Sequence, residues 1–192
     1  MTSLPGRGIF VTDSLCASVY EVDLQSGDVT SLPSRRDEAW RYTDLRAALR
    51  AIPEASPKDE APIAAGPFAV IVEAEALVIV NGFGPDRLTV APGEHRTVSL
   101  RLIASAAARA HHAALAIEVA DGGFLTLLES HEGHGSIYVA NNRLELDVAR
   151  GAEVTRIVLA DEPADAISIS QAQVRVEAGG VYRQTILTTG GK

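Results

Sequence analysis

The sequence predicts a mainly β protein whose body is a parallel β-helix, preceded by a small α-helical N-terminal part. The main observation is a repeated segment: Leu115–Ala120 returns 29 residues later as Leu144–Ala149, with apolar residues in the same places. A third copy begins at Val174, 30 residues after Leu144, and a fainter one, Leu88–Gly93, precedes the first. A fixed period of roughly 20 to 50 residues is typical of proteins built from stacked units.

Each copy alternates apolar and polar residues and then reaches glycine. Leu115, Ile117 and Val119 therefore share one face of a strand. In a parallel stack, Leu115 would lie over Leu144 and Leu144 over Val174, about 4.8 Å apart, which buries the apolar face. The second strand of each coil is expected at Phe124–Leu128, Val154–Leu159 and Val181–Leu187. The alternative is a chance match in an antiparallel sandwich, but three copies with the same turn favour the coil.

Composition agrees with a narrow, aliphatic core. The 192 residues suffice for one domain with a small appendage, and 46% are hydrophobic but only 5% aromatic. The net charge of −8 disfavours a general nucleic-acid-binding protein, because such domains need a basic face.

The chain has one cysteine, Cys16, which excludes a disulfide framework and a cysteine-rich metal site. We expect Cys16 to be a small buried residue and not a reactive thiol. The N-terminus lacks a long apolar core after a basic start, so no secretory signal is predicted. The apolar window Phe68–Val80 contains Glu73 and Glu75 and is too short to span a bilayer. We therefore expect a cytoplasmic protein.

Residues 33–52 supply the predicted helical part. Ser34 with Asp37 forms one candidate N-cap, and Thr43 with Asp44 forms another. One helical face would carry the apolar residues Leu45, Ala48, Leu49 and Ile52. Trp40, the only tryptophan, is expected to anchor this helical unit to the body of the protein.

Four prolines between residues 53 and 67 indicate a linker. The predicted organisation is therefore an N-terminal helical part with the linker at 1–66, and strands with the first coils at 67–192.

Two strands, Phe68–Val72 and Ala76–Val80, are predicted after the linker, followed by a tight turn at Asn81-Gly82. Residues 99–114 are dense in alanine and predict a helix with Leu100, Ile103, Ala104, Ala107 and Ala114 facing inward.

The segment Arg35–Leu45 reads Arg-Arg-Asp-Glu-Ala-Trp-Arg-Tyr-Thr-Asp-Leu and follows Leu32-Pro33. Here the chain resembles the SufB/SufD family of iron–sulfur cluster assembly proteins, on its SufD side. Weaker agreements follow at Val78–Gly82, the alanine-rich segment, Asp121-Gly122, Asn141-Asn142, Gly151-Ala152 and Gly190-Gly191. The resemblance runs from Leu32 onward. It implies a helical N-terminal part, a right-handed parallel β-helix and a C-terminal helical part.

The resemblance also implies a non-enzymatic scaffold that assembles with a SufB-like paralogue and a SufC-like ATPase. The iron–sulfur cluster and ATP would belong to the assembled complex, with no cofactor bound by this chain. The family's cluster and ATPase contacts lie in its C-terminal half, so no catalytic, cofactor-binding or metal-binding residue is assigned here. Family members are about twice as long. We therefore expect a fragment truncated at Lys192, whose open coil edge can pair to form a homodimer.

Two histidine groups were candidate metal ligands. His131-Glu132-Gly133-His134 lacks the spacing of a helical zinc site, and its glycines favour a turn between coils. His111 and His112 are adjacent and point to different faces, so we expect them at the surface or at a boundary.

The outward positions predict an acidic ladder of Glu118, Asp147 and Glu177, which is either a strip for a cation or partner or a solvated face relieved by Arg175. The segment Gly82–Pro85 lacks the lysine of a phosphate loop. Two rival functions remain, a β-helix enzyme acting on carbohydrate and a β-helical acyltransferase. The few aromatic residues disfavour the first, and the 29-residue period disfavours the second, which repeats every six residues.

Overall fold

The computed structural model describes residues 22, 24, 26–37, 40–58 and 64–190. A 3-10 helix, Val29–Ser31, and one α-helix, α1 (Leu45–Ala48), precede the strands. The nine strands are β1 (Glu75–Val80), β2 (Arg87–Val90), β3 (His95–Ala104), β4 (Ala110–Val119), β5 (Phe124–Gly133), β6 (Val139–Val148), β7 (Glu153–Glu162), β8 (Ile167–Val176) and β9 (Val181–Gly190). None of the helices among these residues has the length and apolar character needed to cross a bilayer.

The strands form a β-helix of about four turns with two parallel sheets, as predicted. One sheet has the order β1-β3-β5-β7-β9 and the other the order β2-β4-β6-β8, with every neighbouring pair parallel. The chain alternates between the sheets, so each coil contributes one strand to each. The second strands predicted for the last three coils lie within β5, β7 and β9.

The predicted register holds for the first copies and is wrong for the third. Leu115 pairs with Leu144 as expected, but Leu144 pairs with Ala172, and Val174 pairs with Leu146. The connection from β5 to β6 spans 134–138, whereas the connection from β7 to β8 spans only 163–166, so the spacing falls from 29 to 28. A shift of two residues keeps the same side chains facing inward, so alternation alone cannot reveal it.

Glycine permits the corner that each coil turns. Gly122 and Gly151 both have φ of +65°, in the left-handed region that other residues adopt at a cost. The corners also stack on each other, because the Gly122 amide donates to the Arg150 carbonyl at 3.0 Å.

The core is aliphatic and lies between the two sheets. Inward-facing residues of successive coils form one buried cluster, which includes Val98, Leu100, Leu115, Ile117, Leu127, Leu144, Leu146 and Val154. Burial of such side chains stabilises the fold by about 1.5–3 kcal/mol each.

The helix predicted at 99–114 is absent; the segment contains the end of β3 and the start of β4. Ala108, with φ of +52°, lies in the turn between these strands. Strand β3 is paired on both edges, by β1 and β5, and β4 by β2 and β6. These pairings supply backbone hydrogen bonds that override the weak helix preference of alanine.

The predicted helical N-terminal part is much smaller among the described residues than expected. It reduces to the 3-10 helix and the single turn of α1, whose N-cap is Asp44 and not Thr43. Ser34 and Asp37 form a turn in which the Asp37 carboxylate accepts the Ser34 amide hydrogen at 2.7 Å. Short polar caps of this kind compete with helix continuation.

The N-terminal segment packs on the outer face of the four-stranded sheet, and Trp40 contributes to this packing as predicted. Its apolar residues Val22, Leu24, Leu32, Leu45 and Leu49 cluster with Ala110, Val139 and Ile169. The Asn141 side-chain amide donates to the Val22 carbonyl at 2.6 Å. Residues 54–56 add backbone hydrogen bonds to Ala110.

The strand predicted at Phe68–Val72 is also wrong, because these residues form turns before β1 begins at Glu75. Val70 and Val72 are 85% and 93% exposed, so no neighbouring strand rewards extension there. The turn at Asn81-Gly82 is confirmed, with φ of +53° and +87°.

Candidate functional site

The sequence candidates for metal ligands do not converge. His131, Glu132 and Gly133 lie at the end of β5 and not in a turn, and His134 follows them. His131 is buried, whereas His134 is 56% exposed. Within the described part of the chain, no group of three or more His, Cys, Asp or Glu residues is arranged to hold a metal ion. Cys16 lies outside the described residues.

The acidic ladder is wrong in its third member. Glu118 pairs with Asp147, but the next residue in register is Arg175, because of the 28-residue spacing. Arg175 approaches Asp147 to 3.3 Å, and Arg87 approaches Glu118 to 2.6 Å. The outer face therefore alternates charge, and the relief by Arg175 that the sequence analysis considered is present.

A buried ionic cluster lies inside the coil, between β5, β7 and β9. Arg156 Nε donates to Glu129 Oε2 and Arg156 Nη2 to Glu129 Oε1, both at 2.8 Å. Arg156 Nη1 donates to Gln184 Oε1 at 2.8 Å, and a hydrogen bond of 2.6 Å joins His131 Nε2 to Glu129 Oε1. The side chains of Glu129 and Arg156 are 2% and 4% exposed, so the ion pair is shielded from water.

The cluster keeps Glu129 ionised. Burial alone would raise the pKa of Glu129, but hydrogen bonds from His131 and Arg156 outweigh this effect and lower the pKa to about 2. The same carboxylate outweighs the effect of burial on Arg156 and raises the pKa of its guanidinium. The cluster is a fixed pair of opposite charges and not a proton-transfer site near neutral pH.

Sequence reasoning missed this cluster. Both Glu129 and Arg156 occupy inward positions of strands whose neighbours are Leu125, Leu127, Val154 and Val158. They are 27 residues apart, two fewer than the repeat, which places them diagonally on adjacent strands. Charged residues that interrupt the inward alternation were the available signal.

A concavity of about 740 Å³ lies beside the ionic cluster, between the last strands of the two sheets. Ser168, Ser170, Ala172 and Val174 of β8 form one wall, and Tyr182, Gln184, Ile186 and Thr188 of β9 form the other. His131, Arg156 and Glu162 lie at its floor. The interior at this level is more polar than the core of the earlier coils.

His111 and Tyr138 form a second buried polar group. Their rings are 5.4 Å apart, and the Tyr138 hydroxyl donates to Glu162 Oε1 at 3.2 Å. His111 is buried, contrary to the surface or boundary position expected for it, and neither ring nitrogen has a hydrogen-bond partner among the described residues. Burial lowers the pKa of His111 to about 4, so its ring is neutral at pH 7.

A third ion pair ties the segment before β1 to the five-stranded sheet. Arg101 Nε donates to Glu132 Oε1 at 2.7 Å and Arg101 Nη2 to Oε2 at 2.5 Å, while Nη1 donates to the Ala64 carbonyl. Ser130 Oγ donates to the same carboxylate at 2.6 Å. Burial raises the pKa of Glu132, but the bonds from Arg101 and Ser130 outweigh it and leave the pKa below its ordinary value. This pair has a structural role.

Comparison with known proteins supports one family. Residues 102–192 match the family model for the SUF system FeS cluster assembly, SufBD core domain. The match begins near the end of β3 and contains all of β4 to β9, whereas the segment Arg35–Leu45 lies outside it. No curated protein and no solved structure gives a significant match. The match supports the SufB/SufD family and a role in iron–sulfur cluster assembly.

Proposed function

We propose that this chain is part of a non-enzymatic scaffold in a SufBCD-like complex for iron–sulfur cluster assembly, on the SufD side of the family. The observation that carries the proposal is the SufBD core-domain match over residues 102–192, which coincides with the regular coils from β4 to β9. The same residues carry the 29-residue repeat from which the β-helix was predicted. Fold and family therefore agree over the same part of the chain.

A scaffold role agrees with how the polar groups are used. Glu129 and Arg156 neutralise each other, Glu132 is held by Arg101 and Ser130, and Tyr138 binds Glu162. These charged groups join one coil to the next. The proposed contribution of the chain is rigidity: two long parallel sheets that present surfaces to other subunits.

The proposed partners are a SufB-like paralogue and a SufC-like ATPase, in the cytoplasm. The iron–sulfur cluster and ATP would be handled by the assembled complex, and the cluster would be its product. Assignment to the SufD side rests on the run Trp40–Leu45 and on the single cysteine.

Gene deletion tests the proposed function. We expect the deletion strain to lose activity of several iron–sulfur enzymes while an enzyme without a cluster keeps its activity, and we expect the intact gene to restore them. Normal iron–sulfur enzyme activities in the deletion strain under iron limitation would contradict the proposal. Cleavage of a polysaccharide or acyl transfer by the purified protein would instead support one of the rival enzymes.

A further inference from the structure

The segment from Arg35 to Arg50 forms a basic and aromatic surface on an acidic protein. It holds five arginines against three acidic residues, whereas the whole chain has a net charge of −8. The members of this arginine–aromatic surface are Arg35, Arg36, Trp40, Arg41, Tyr42, Arg46 and Arg50. All five arginines are exposed, and Tyr42 is 85% exposed.

This surface is held in place by the residues between its arginines. Leu45 and Leu49 are buried in the cluster on the outer face of the four-stranded sheet, and Trp40 packs against the same cluster. Successive turns connect the segment, with the Trp40 amide donating to Asp37 at 2.8 Å and the Thr43 amide to Trp40 at 2.8 Å. The arginines therefore project from an anchored support.

Two of the acidic residues in the segment serve the local backbone. The Asp37 carboxylate accepts the Ser34 amide, and the Asp44 carboxylate accepts the Ala47 amide at 3.1 Å. Arg35 approaches Asp44 only to 3.7 Å and is 71% exposed. The side chains of Arg36 and Arg50 have no ion-pair partner among the described residues. The surface therefore keeps a positive excess that its own acids do not neutralise.

Arg41 and Tyr42 add a second feature of a recognition surface. The Arg41 guanidinium lies 4.6 Å from the centre of the Tyr42 ring, and its Nη2 donates to the Tyr42 hydroxyl at 2.6 Å. This contact orders two long side chains before any partner arrives, which lowers the entropic cost of binding. Arginine, tyrosine and tryptophan are also the residues that dominate binding energy at protein interfaces.

We propose that the arginine–aromatic surface binds an acidic segment of a partner protein. Arginine forks match carboxylates with two parallel hydrogen bonds, and the ordered aromatic ring offers apolar area beside them. A nucleic acid fits less well, because the acidic remainder of the chain would repel a phosphate backbone. The inference does not depend on the proposed role in cluster assembly.

A peptide titration tests this inference. Trp40 is the only tryptophan and packs beneath this surface, so its fluorescence reports binding at this place. The probe is an acetylated, amidated octaglutamate peptide, with octaglutamine as the neutral control peptide. We expect saturable change in Trp40 fluorescence with octaglutamate, none with octaglutamine, and at least tenfold weaker binding in 0.5 M salt.

Charge reversal locates the binding surface. The double variant Arg36→Glu/Arg41→Glu should bind octaglutamate at least tenfold more weakly. The matched control Arg150→Glu/Arg183→Glu has the same net charge, and its two exposed sites lie after the end of β6 and near the start of β9. It should bind within threefold of the unmodified protein. Circular dichroism should show that both variants are folded.

Three results would overturn the inference. The first is equal loss of binding in the two double variants, which would indicate a nonspecific charge effect. The second is no binding of octaglutamate, measured both by Trp40 fluorescence and by anisotropy of a labelled peptide. The third is tighter binding of octathymidylate than of octaglutamate, which would assign the surface to a nucleic acid.

Discussion

Glu129 on β5 and Arg156 on β7 form a two-bond ion pair inside the coil, with both N–O distances at 2.8 Å and both side chains almost fully buried. The pair crosses from one coil to the next at the level where Gln184 of β9 also binds Arg156. Removing one partner leaves an uncompensated charge in a site that water does not reach. The first prediction follows from this asymmetry.

Glu129→Leu should lower the free energy of unfolding by about 3–5 kcal/mol, because Arg156 would remain buried without its carboxylate. Glu129→Leu/Arg156→Met should recover most of that loss, because two apolar side chains fill the space without a charge. Urea unfolding of the three proteins measures both differences. A double variant as unstable as Glu129→Leu would show that the loss comes from packing and not from charge.

His111 should make the protein less stable as the solution becomes mildly acidic. Its pKa is lowered from 6.5 to about 4 in the folded state, so the unfolded chain binds more protons between these values. Its contribution is fully present above pH 6.5 and is lost as the pH falls towards 4, by roughly 3 kcal/mol at most.

The variant His111→Leu isolates this effect. At pH 7.5 its free energy of unfolding should be close to that of the unmodified protein, because it removes a ring whose nitrogens have no partner among the described residues. Between pH 6.5 and 4 it should lose less stability than the unmodified protein. Parallel pH profiles of the two proteins, from urea midpoints at each pH, would contradict the assignment.

The register of the last coil can be tested with introduced cysteines in a Cys16→Ser background. Asp147→Cys with Arg175→Cys should form a disulfide, because paired residues on adjacent strands lie about 4.8 Å apart. Asp147→Cys with Glu177→Cys should not, because an offset of two residues increases the separation to about 8 Å. Mass spectrometry after mild oxidation gives the answer. The reverse pattern would restore the 30-residue spacing.

Gly151 should tolerate asparagine better than alanine. Its φ of +65° is unfavourable for residues with a Cβ, but an added Cβ would meet no atom within 4 Å. Gly151→Ala should therefore cost about 1 kcal/mol through the backbone alone, and Gly151→Asn about half of that. Thermal unfolding of both variants tests the ranking. Equal losses would indicate that the corner, and not its φ, is the limiting feature.

The β-helix could be predicted because its signal is repeated. Leu115 and Leu144, each followed by glycine at the same distance, already imply that one coil lies on the next. Val174 was assigned two residues out of register because the alternation has a period of two and does not change under such a shift. The shortened connection at 163–166 is visible only when all strands are placed.

Other features depend on long-range pairing and could not be predicted from local sequence. The alanine-rich segment at 99–114 has a helix preference, yet β3 and β4 are each paired on both edges, which outweighs that preference. The Glu129–Arg156 pair required knowledge of which strands are adjacent. The N-terminal signature was found at once, but its exposure and anchoring became apparent only in the structure.

The most direct test of the proposed function is to identify what the native protein binds. An affinity tag placed at the chromosomal gene, at the N-terminus of the product that contains these residues, allows purification at natural abundance. We predict that a SufB-like paralogue and a SufC-like ATPase copurify with it in a complex of defined mass, measured by native mass spectrometry. Isolation of a SufB-like and SufC-like complex that lacks this protein, with the tagged protein alone in a separate fraction, would contradict the account.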